Sequence, residues 1–455
     1  MEDITMRKIF QYIMLAVVTI VMASCTSDIE ETTATTGKNN VQLVVGEFPA
    51  FGDSQTRAIG TPDEGKTSWA EGDELLLEID NTFYGKQYAT FTYNGKSWEL
   101  TSGELVYREG DPAYIPHVYY APNYKWEAGK LVLKEGKDPG TDEYIEGNAR
   151  ITGNSETITV SFAEATRKYS RLRIATLPNE QITVDTEYFT PAGSSDMEQK
   201  GNYTLTSDEK GNAYLYGTFE NNSEVTVKYR EAALTTYTFS QATESAKSYA
   251  LDATVISANS AEEIKSAIKQ KVADGKTTIR LNLAPNAGTD EFMAIREAIK
   301  GAAPNDEGTI ELTIIGVETI PEEAFKRMSQ LKSVKMPDVK EIKKYAFSEC
   351  RYLTVVEAPS LNKLNSGAFN ECNLLSKLTF GPINYADARY WSIFEDITPN
   401  IDLILSDYQK EMIETDDDLY TANNDIDYAF SPEHVSKNFL GHEFKSITCS
   451  RYRVE

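Results

Sequence analysis

Few residues of this chain have the spacing that a catalytic centre needs. Gly60 to Thr67 satisfies G-x-x-x-x-G-K-T, the pattern of a phosphate-binding loop. That chemistry requires a buried strand before the loop and a helix after it, so that backbone amides point at the phosphates. Here the polar segment 52–59 precedes the motif, and the strand-like segment 74–79 follows it. We therefore interpret the motif as a surface turn.

The spacing of the histidine and acidic residues supports neither a metal site nor nucleophilic catalysis. The three histidines, His117, His434 and His442, lie too far apart for a local zinc motif or a local Ser-His-Asp pattern. The acidic stretch 414–427 offers oxygen ligands for Ca²⁺, but it lacks the glycine turn of an EF-hand and favours a solvated loop. The sequence predicts no catalytic residue, no metal and no cofactor, so we do not expect an enzyme.

The N-terminus carries the side chain whose chemistry is best defined. Residues 6–25 combine Arg7 and Lys8 with an apolar run and end in Ala-Ser-Cys. This layout is typical of a lipoprotein signal peptide, so Cys25 is predicted to be lipidated and to hold the chain to a membrane through its lipid alone. A transmembrane anchor is the alternative, although the apolar run is shorter than the roughly 20 residues that a span needs.

The location of the mature chain is also suggested here. The segment after Cys25, TSDIEE, resembles the acidic export signal of surface lipoproteins in some Gram-negative bacteria. The resemblance implies an outer-membrane protein that faces the cell exterior. The formal net charge of −25 is a separate observation: it predicts that nucleic acid and anionic membrane surfaces would repel the chain, so nucleic acid is not an expected partner.

Three copies of one pattern follow each other at a period of 22 residues, starting at Val317, Val339 and Leu361. In each copy an aliphatic residue, an Ala-Phe pair, a leucine and a second aliphatic residue occupy the same positions. One copy cannot bury its own apolar side, so the copies are expected to stack as a solenoid. The L-x-x-V segment of each copy predicts a short strand, and the Ala-Phe pair predicts a return turn with Phe inside.

These copies resemble the BspA-like leucine-rich repeats of bacterial surface antigens, with a consensus of roughly I-x-x-x-A-F-x-x-C-x-x-L. Cys350 and Cys372 occupy the consensus cysteine position, where the first copy has Arg327-Met328. The resemblance implies an extracellular module for ligand binding or adhesion. The two cysteines are expected on adjacent coils as buried thiols, and a disulfide between them is the alternative. Four cysteines in the whole chain do not make a disulfide scaffold.

The exposed face of the predicted strands is the candidate binding surface. Its side chains alternate with the core positions and form neither an aromatic patch nor a patch of one charge sign. A plain solvated sheet, with the ligand bound elsewhere, is the alternative. The six candidate residues are Ser333, Lys335, Val355, Glu357, Lys377 and Thr379.

Residues 46–256 contain short segments of alternating polarity, separated by Gly, Asn, Asp and Pro, which predict an all-β sandwich. Phrases such as Thr56-Arg57-Ala58, W-x-x-G-D-E from Trp69 and a Tyr/Pro cluster at 114–122 resemble fimbrillin-like lipoproteins. That resemblance implies a pilus shaft, tip or anchor. In pilus subunits a protease cuts after an arginine near the start, and Arg57 matches it. An exposed loop arginine is the alternative.

The predicted fold class is therefore multidomain: an all-β, fimbrillin-like sandwich of two lobes, followed by a leucine-rich-repeat solenoid with an α/β cap. The cap contains helices predicted at about 260–273 and at 289–302. The predicted parts are a signal peptide (1–25), a flexible tether (26–45), the sandwich region (46–256), the N-terminal cap (257–316), three repeats (317–382) and an irregular repeat with a C-terminal cap (383–455).

The function predicted from this organisation is non-enzymatic binding at the cell surface. The expected partners are host or microbial surface macromolecules, either protein or glycan. The alternative is a structural pilus component, a tip or an anchor, whose partners are other pilus subunits joined by strand exchange.

Overall fold

The structure is a computed structural model, which describes residues 41–49, 51, 66–106, 112–152, 157–162, 167–230, 232–258, 260–303, 305–387, 393–405, 414–415, 438–440, 442–448 and 453–454. The predictions for Cys25 and Arg57 lie outside these ranges, as do the signal peptide and most of the acidic stretch. The described part is mostly β structure with two helices.

The described residues of the first part of the chain form nine strands: β1 (Gln42–Val45), β2 (Glu74–Asn81), β3 (Gly85–Tyr93), β4 (Trp98–Gly103), β5 (Ala113–Tyr120), β6 (Tyr124–Glu127), β7 (Lys130–Leu133), β8 (Ile145–Thr152) and β9 (Thr157–Ser161). Seven of them form one sheet in the order β1-β9-β8-β5-β2-β3-β4, and β6 pairs with β7 as a separate hairpin. Strand β2 is buried on both faces, because Leu75 and Leu77 point into the main core while Leu76 packs with Tyr124 and Trp126 of the hairpin.

Strand β1 lies inside the range 26–45 that we had assigned to the tether, so this boundary was wrong. Val41 and Leu43 are buried, and β1 pairs in parallel with β9 from Gln42 to Val45. The folded part therefore begins at Val41 at the latest. Four residues are too few for a periodicity argument, and the strand that pairs with β1 is far away in the sequence.

Seven further strands form a second sheet: β10 (Ser170–Ala175), β11 (Gln181–Pro191), β12 (Glu198–Thr206), β13 (Asn212–Phe219), β14 (Glu224–Tyr229), β15 (Ala232–Thr238) and β16 (Ser248–Asp252). Their order is β15-β14-β11-β13-β10-β16, with β12 paired to β11. Each of the two sheets has its own buried cluster. The all-β prediction is confirmed here. The sheets are curled, and a face-to-face sandwich stays a prediction.

The last part of the chain is dominated by parallel strands. Its elements are β17 (Ile256–Ser257), α1 (Ala261–Ala273), β18 (Thr278–Asn282), α2 (Thr289–Ala302), β19 (Ile310–Ile315), β20 (Thr319–Ile320), β21 (Leu331–Lys335), β22 (Glu341–Ile342), β23 (Val355–Ala358), β24 (Lys363–Leu364), β25 (Lys377–Phe380), β26 (Tyr385–Ala386), β27 (Asp402–Leu405), β28 (Glu414–Thr415), β29 (Asn438–Phe439), β30 (His442–Glu443), β31 (Ser446–Thr448) and β32 (Arg453–Val454).

These strands form two long sheets and one short hairpin. The larger sheet has the order β17-β18-β19-β21-β23-β25-β27-β31-β32, and the smaller one has the order β20-β22-β24-β26-β28. Strands β29 and β30 pair as a separate hairpin. Between the repeats each step along either sheet advances the chain by 22 residues: Val334 pairs with Val356, and Ile320 pairs with Ile342. The predicted stacking of the copies in register is therefore confirmed.

Both predicted helices are present, with ends that the sequence explains. Ser260 precedes α1, and its side chain accepts a hydrogen bond from the Glu263 amide at 3.3 Å. At the start of α2, the Gly288 amide donates to the Glu291 carboxylate at 2.8 Å. Such caps satisfy amides that have no partner inside a helix. Helix α2 then packs Phe292 against Phe325 of the first repeat, with ring centroids 5.6 Å apart.

A column of phenylalanines forms the interior of the repeats. The rings of Phe325, Phe347 and Phe369 are stacked at centroid distances of 5.2 Å and 5.5 Å, and all three are fully buried. Cys350 and Cys372 are free, buried thiols. Each donates to a backbone carbonyl of the preceding coil at 3.0 Å. These thiols therefore act as small core residues with a satisfied donor.

Candidate functional site

The larger parallel sheet exposes two rows of side chains beside its buried ladder. One row runs Ser333, Val355, Lys377 and Asp402, and the other runs Lys335, Glu357, Thr379 and Ile404. The six candidate residues predicted from the sequence all belong to these rows and are half-buried. The buried ladder between the rows contains Val334, Val356 and Leu378. On each strand the ladder positions are therefore fully buried, while the positions on either side are half-buried.

The second row continues in the N-terminal direction, where it is covered. Lys335 is preceded by Thr313 and then by Arg280 on the adjacent strands. Both of these residues are buried, at 5% and 7% exposure, whereas the Lys335 side chain is 43% exposed. The row is therefore covered by another part of the chain at β18 and β19 and becomes accessible at β21.

That covering part is the edge of the second sheet. The Arg280 Nε donates to the Leu234 carbonyl oxygen at 2.6 Å, and the Arg280 guanidinium lies 4.0 Å from the Asp252 carboxylate. Burial lowers the pKa of Arg280, and the nearby carboxylate partly offsets this effect. Ile315 of β19 packs into the core of the second sheet. The second sheet and the repeats are therefore joined by buried contacts as well as by the chain between them.

A cleft opens where this cover ends. It has a volume of about 410 Å³ and lies between β15 and the exposed rows of the parallel sheet. We call it the junction cleft. Its lining residues are Ala232, Ala233, Lys335, Met336, Pro337, Glu357, Pro359, Lys377, Thr379 and Ile404.

The structure thus brings four of the six predicted residues together and separates two. Lys335, Glu357, Lys377 and Thr379 line the junction cleft, whereas Ser333 and Val355 lie on the same sheet outside its lining. Sequence reasoning missed the wall formed by Ala232 and Ala233. Nothing in the spacing of these two alanines signals a site, because they reach the cleft only through the packing of β15 onto the repeats.

The two lysines of the junction cleft differ in their ion pairing. The Lys335 ammonium lies 3.3 Å from the Glu357 carboxylate, which forms a half-exposed ion pair. Lys377 makes no ion pair with any described residue, although Asp402 is its neighbour in the adjacent strand. The Asp402 carboxylate instead contacts the Lys445 ammonium at 3.0 Å. The cleft therefore presents one ammonium group that no carboxylate of the described chain neutralises.

The junction cleft offers both charged and apolar side chains to a ligand. Its lining contains no cysteine, serine or histidine, and its polar side chains are those of Lys335, Glu357, Lys377 and Thr379. Across the described residues, no group of three or more His, Cys, Asp or Glu side chains is arranged to bind a metal. The cleft supplies a concave surface, apolar side chains and one ammonium group that has no acidic partner among the described residues.

The histidines that the structure describes occupy packing positions. His117 stacks on Tyr119 at 5.8 Å, and its Nδ1 lies 3.1 Å from the Glu146 carboxylate. His442 packs against Phe444 at 4.9 Å, and burial lowers its pKa. Lys66, at the end of the phosphate-loop pattern, lies 2.8 Å from the Asp73 carboxylate. That ion pair occupies the ammonium group that would otherwise contact phosphate, and the preceding residues 52–65 lie outside the described ranges.

Comparison with known protein families supports the interpretation of the 22-residue copies as leucine-rich repeats. Residues 309–403 match the BspA type leucine rich repeat region, in six copies. The predicted repeat resemblance is confirmed, and the matched region extends on both sides of the predicted 317–382. The added segments include β19 and β27, which continue the parallel sheet in the structure. No curated protein matches the chain.

One solved structure aligns with about half of the chain. It is a protein from Bacteroides fragilis proposed to act in cell adhesion, with 10% identity and a TM-score of 0.26. The alignment covers 50% of this chain and 93% of that protein. A TM-score this low supports no conclusion about fold or function. The fimbrillin-like resemblance of residues 46–256 stays a prediction. Among the described residues, no helix is long and apolar enough to cross a membrane.

Proposed function

We propose that this protein is a non-enzymatic adhesion protein of the bacterial cell surface, held to the outer membrane by a lipid on Cys25. In this proposal the parallel strands form a leucine-rich-repeat solenoid, capped by α1, α2 and the preceding strands. The face that carries Lys335, Glu357, Lys377 and Thr379 binds macromolecules of host or microbial surfaces. The observation that carries the proposal is the match of residues 309–403 to the BspA type leucine rich repeat region.

The architecture offers physical support for binding through this face. Stacked repeats contact only their neighbours, so they hold a row of side chains at fixed spacing over several coils. The phenylalanine column keeps this spacing rigid from Phe325 to Phe369. Rigid presentation favours binding, because less conformational freedom is lost when a ligand is bound.

Binding is tested with the purified chain, fluorescently labelled, on epithelial cells, extracellular-matrix proteins and other bacteria. A double substitution of Lys335→Ala with Lys377→Ala should reduce binding severalfold. The matched control is Lys343→Ala with Lys363→Ala, which removes the same charge from exposed lysines outside the two rows. Equal binding by both double variants would argue against the strand face. No binding of the unaltered protein to any of these surfaces would argue against adhesion itself.

Anchorage and location are tested by identifying the N-terminal residue of the protein on intact cells by mass spectrometry. A lipid-modified Cys25 in a surface-labelled fraction is the expected result. An unmodified N-terminus at residue 1, or a protein inaccessible to labelling, would contradict the proposed anchor or its outward orientation.

The alternative function, a pilus tip or anchor, is favoured by the position of β1. This strand pairs in parallel with β9 from Gln42 to Val45. It also precedes Arg57, so a cut after Arg57 would detach β1 from the rest of the chain and leave β9 open to a strand from another subunit. A mature N-terminus at Ala58, found in the same experiment, would support this alternative.

A further inference from the structure

We propose that the junction cleft binds an extended peptide segment that carries a carboxylate side chain, and that Lys377 binds this carboxylate. The inference rests on the proposed function. It adds the chemical class of the ligand, and it makes β15 of the second sheet part of the binding site.

The first argument is the nature of the wall. Strand β15 stands at the end of its sheet and pairs only with β14 among the described strands. Its register against β14 shifts at Leu234, which lies between the paired residues Ala233 and Thr235. The Leu234 carbonyl points to the junction and accepts the hydrogen bond from Arg280. An unpaired strand edge beside a cleft can form main-chain hydrogen bonds with an extended peptide, which a folded surface or a sugar ring cannot match.

The second argument is the shape and polarity of the junction cleft. Its volume of about 410 Å³ lies near the lower end of the roughly 300–1,000 Å³ found for ligand pockets. A few residues of an extended chain fit that space better than a globular domain. Ala232 and Ala233 have small side chains, so a backbone can approach β15 closely. Pro337 and Pro359 provide apolar contacts on the opposite side, whereas Met336 is fully buried in the core of the repeats.

The third argument is charge. Lys335 is already paired with Glu357, whereas Lys377 has no acidic partner among the described residues. A carboxylate that reaches Lys377 would form a charge-assisted hydrogen bond in a partly enclosed site, where the bond is stronger than in open water. A single ammonium group matches the single charge of one carboxylate side chain. The lining also lacks the aromatic rings on which sugars stack, so the cleft favours a peptide over a glycan.

The test begins with a random heptapeptide library displayed on phage and selected against the full purified chain. Selected peptides are synthesised with a fluorophore, and their Kd values are measured by fluorescence anisotropy. We expect enrichment of Asp or Glu at one position. Replacing that residue with Asn or Gln, or introducing Lys377→Glu, should each weaken binding by about tenfold or more, since each removes the charge-assisted bond. Peptides with Lys at that position should bind the Lys377→Glu protein better than the unaltered one.

Two further variants locate the site. Lys363→Glu is the matched control, because it makes the same charge change on an exposed residue of the smaller sheet, and it should leave Kd within about twofold. Ala233→Trp should fill the cleft and abolish binding. If Ala233→Trp fails to fold, as judged by its melting curve, the charge exchange at Lys377 still decides the question.

Three results would overturn the inference. Selection could yield no peptides, or peptides whose Kd is unchanged by both Lys377→Glu and Ala233→Trp. Alternatively, an anionic glycan could bind with the same dependence on Lys377 while peptides do not. Adhesion of the unaltered protein to cells separates these failures from failure of the proposed function. If adhesion persists and neither cleft variant affects it, the peptide proposal is wrong and adhesion stands.

Discussion

The repeats and the first sheet bury different kinds of side chains in their cores. In the repeats, equivalent aliphatic and aromatic side chains stack at every coil, and a single buried cluster extends from Ala258 to Ile447. The first sheet instead encloses a charged group: Arg167 is fully buried, and its guanidinium contacts the Glu143 carboxylate at 3.0 Å. The Tyr169 hydroxyl donates to the same carboxylate at 2.6 Å.

This difference has a structural consequence. Aliphatic stacking needs only a repeated spacing, and each repeat can be replaced by a similar one. A buried carboxylate needs several particular partners at once, because an unpaired buried charge is strongly destabilising. The guanidinium of Arg167 also stacks on Phe51 at 4.0 Å, which fastens the segment after β1 to the first sheet. The core of the first sheet therefore combines an apolar cluster with one polar cluster whose members depend on each other.

The largest predicted effect tests the aromatic column. Phe347→Ala should lower the free energy of unfolding by about 3–5 kcal/mol, because it removes a fully buried ring and leaves a cavity between Phe325 and Phe369. Thermal melting of the full chain, followed by circular dichroism, measures the loss. Leu374→Ala is the control, since Leu374 is 53% exposed in the adjacent repeat and should change little. An unchanged melting curve for Phe347→Ala would contradict the stacked core.

A smaller effect is expected from the polar cluster of the first sheet. Tyr169→Phe removes the hydrogen bond that the hydroxyl donates to the buried Glu143 carboxylate and the one that it accepts from the Tyr144 amide, and should cost about 1.5–3 kcal/mol. Denaturant unfolding followed by tryptophan fluorescence is suitable, because Trp69 and Trp98 belong to this core. Tyr114→Phe is a matched control: its hydroxyl donates to Asp80 at 3.1 Å, but the side chain is 60% exposed. Equal destabilisation by the two variants would refute the special role of the buried cluster.

The burial of the two thiols predicts a difference in their reactivity between the folded and the unfolded chain rather than a large change in the free energy of unfolding. Burial raises the pKa of Cys372 well above its ordinary value near 9, so the thiol stays protonated in the folded chain. Cys350 and Cys372 should resist alkylation by iodoacetamide at pH 8 and react on unfolding, as mass spectrometry would show. Since only the unfolded chain ionises easily, this thiol's contribution to stability is present below pH 9 and declines above it. Rapid labelling of the native protein would contradict the packing.

The smallest effect concerns the ion pairs on the outside of the repeats. Arg327 contacts the Glu349 carboxylate at 2.9 Å one repeat away, but its side chain is 69% exposed. Solvent screening weakens such a pair, so Arg327→Ala should give no resolvable change in Tm at physiological salt. A clear fall in Tm would show that the repeats depend on surface charge as well as on their core.

The two regions also differ in how far they could be predicted. The helix predicted at 289–302 and the strand-like segment 74–79 follow from local patterns, and the structure has them as Thr289–Ala302 and Glu74–Asn81. The second parallel sheet was not predicted, because its strands, such as Thr319–Ile320, have only two residues each. Strand β1 was missed for the related reason that its partner β9 lies far along the chain.

By itself, the sequence determined the 22-residue period, the inward positions of Phe347 and its equivalents, and the outward rows that include Lys335 and Lys377. The period can be read from the sequence alone. Because the stacked copies are alike, the contacts between one pair of copies also describe the contacts between the next pair. Only the tertiary structure decided that Ala232 and Ala233 stand over those rows and that Arg280 lies buried beneath Leu234. Such contacts depend on how two regions of different architecture pack together, and no spacing within either region specifies that packing.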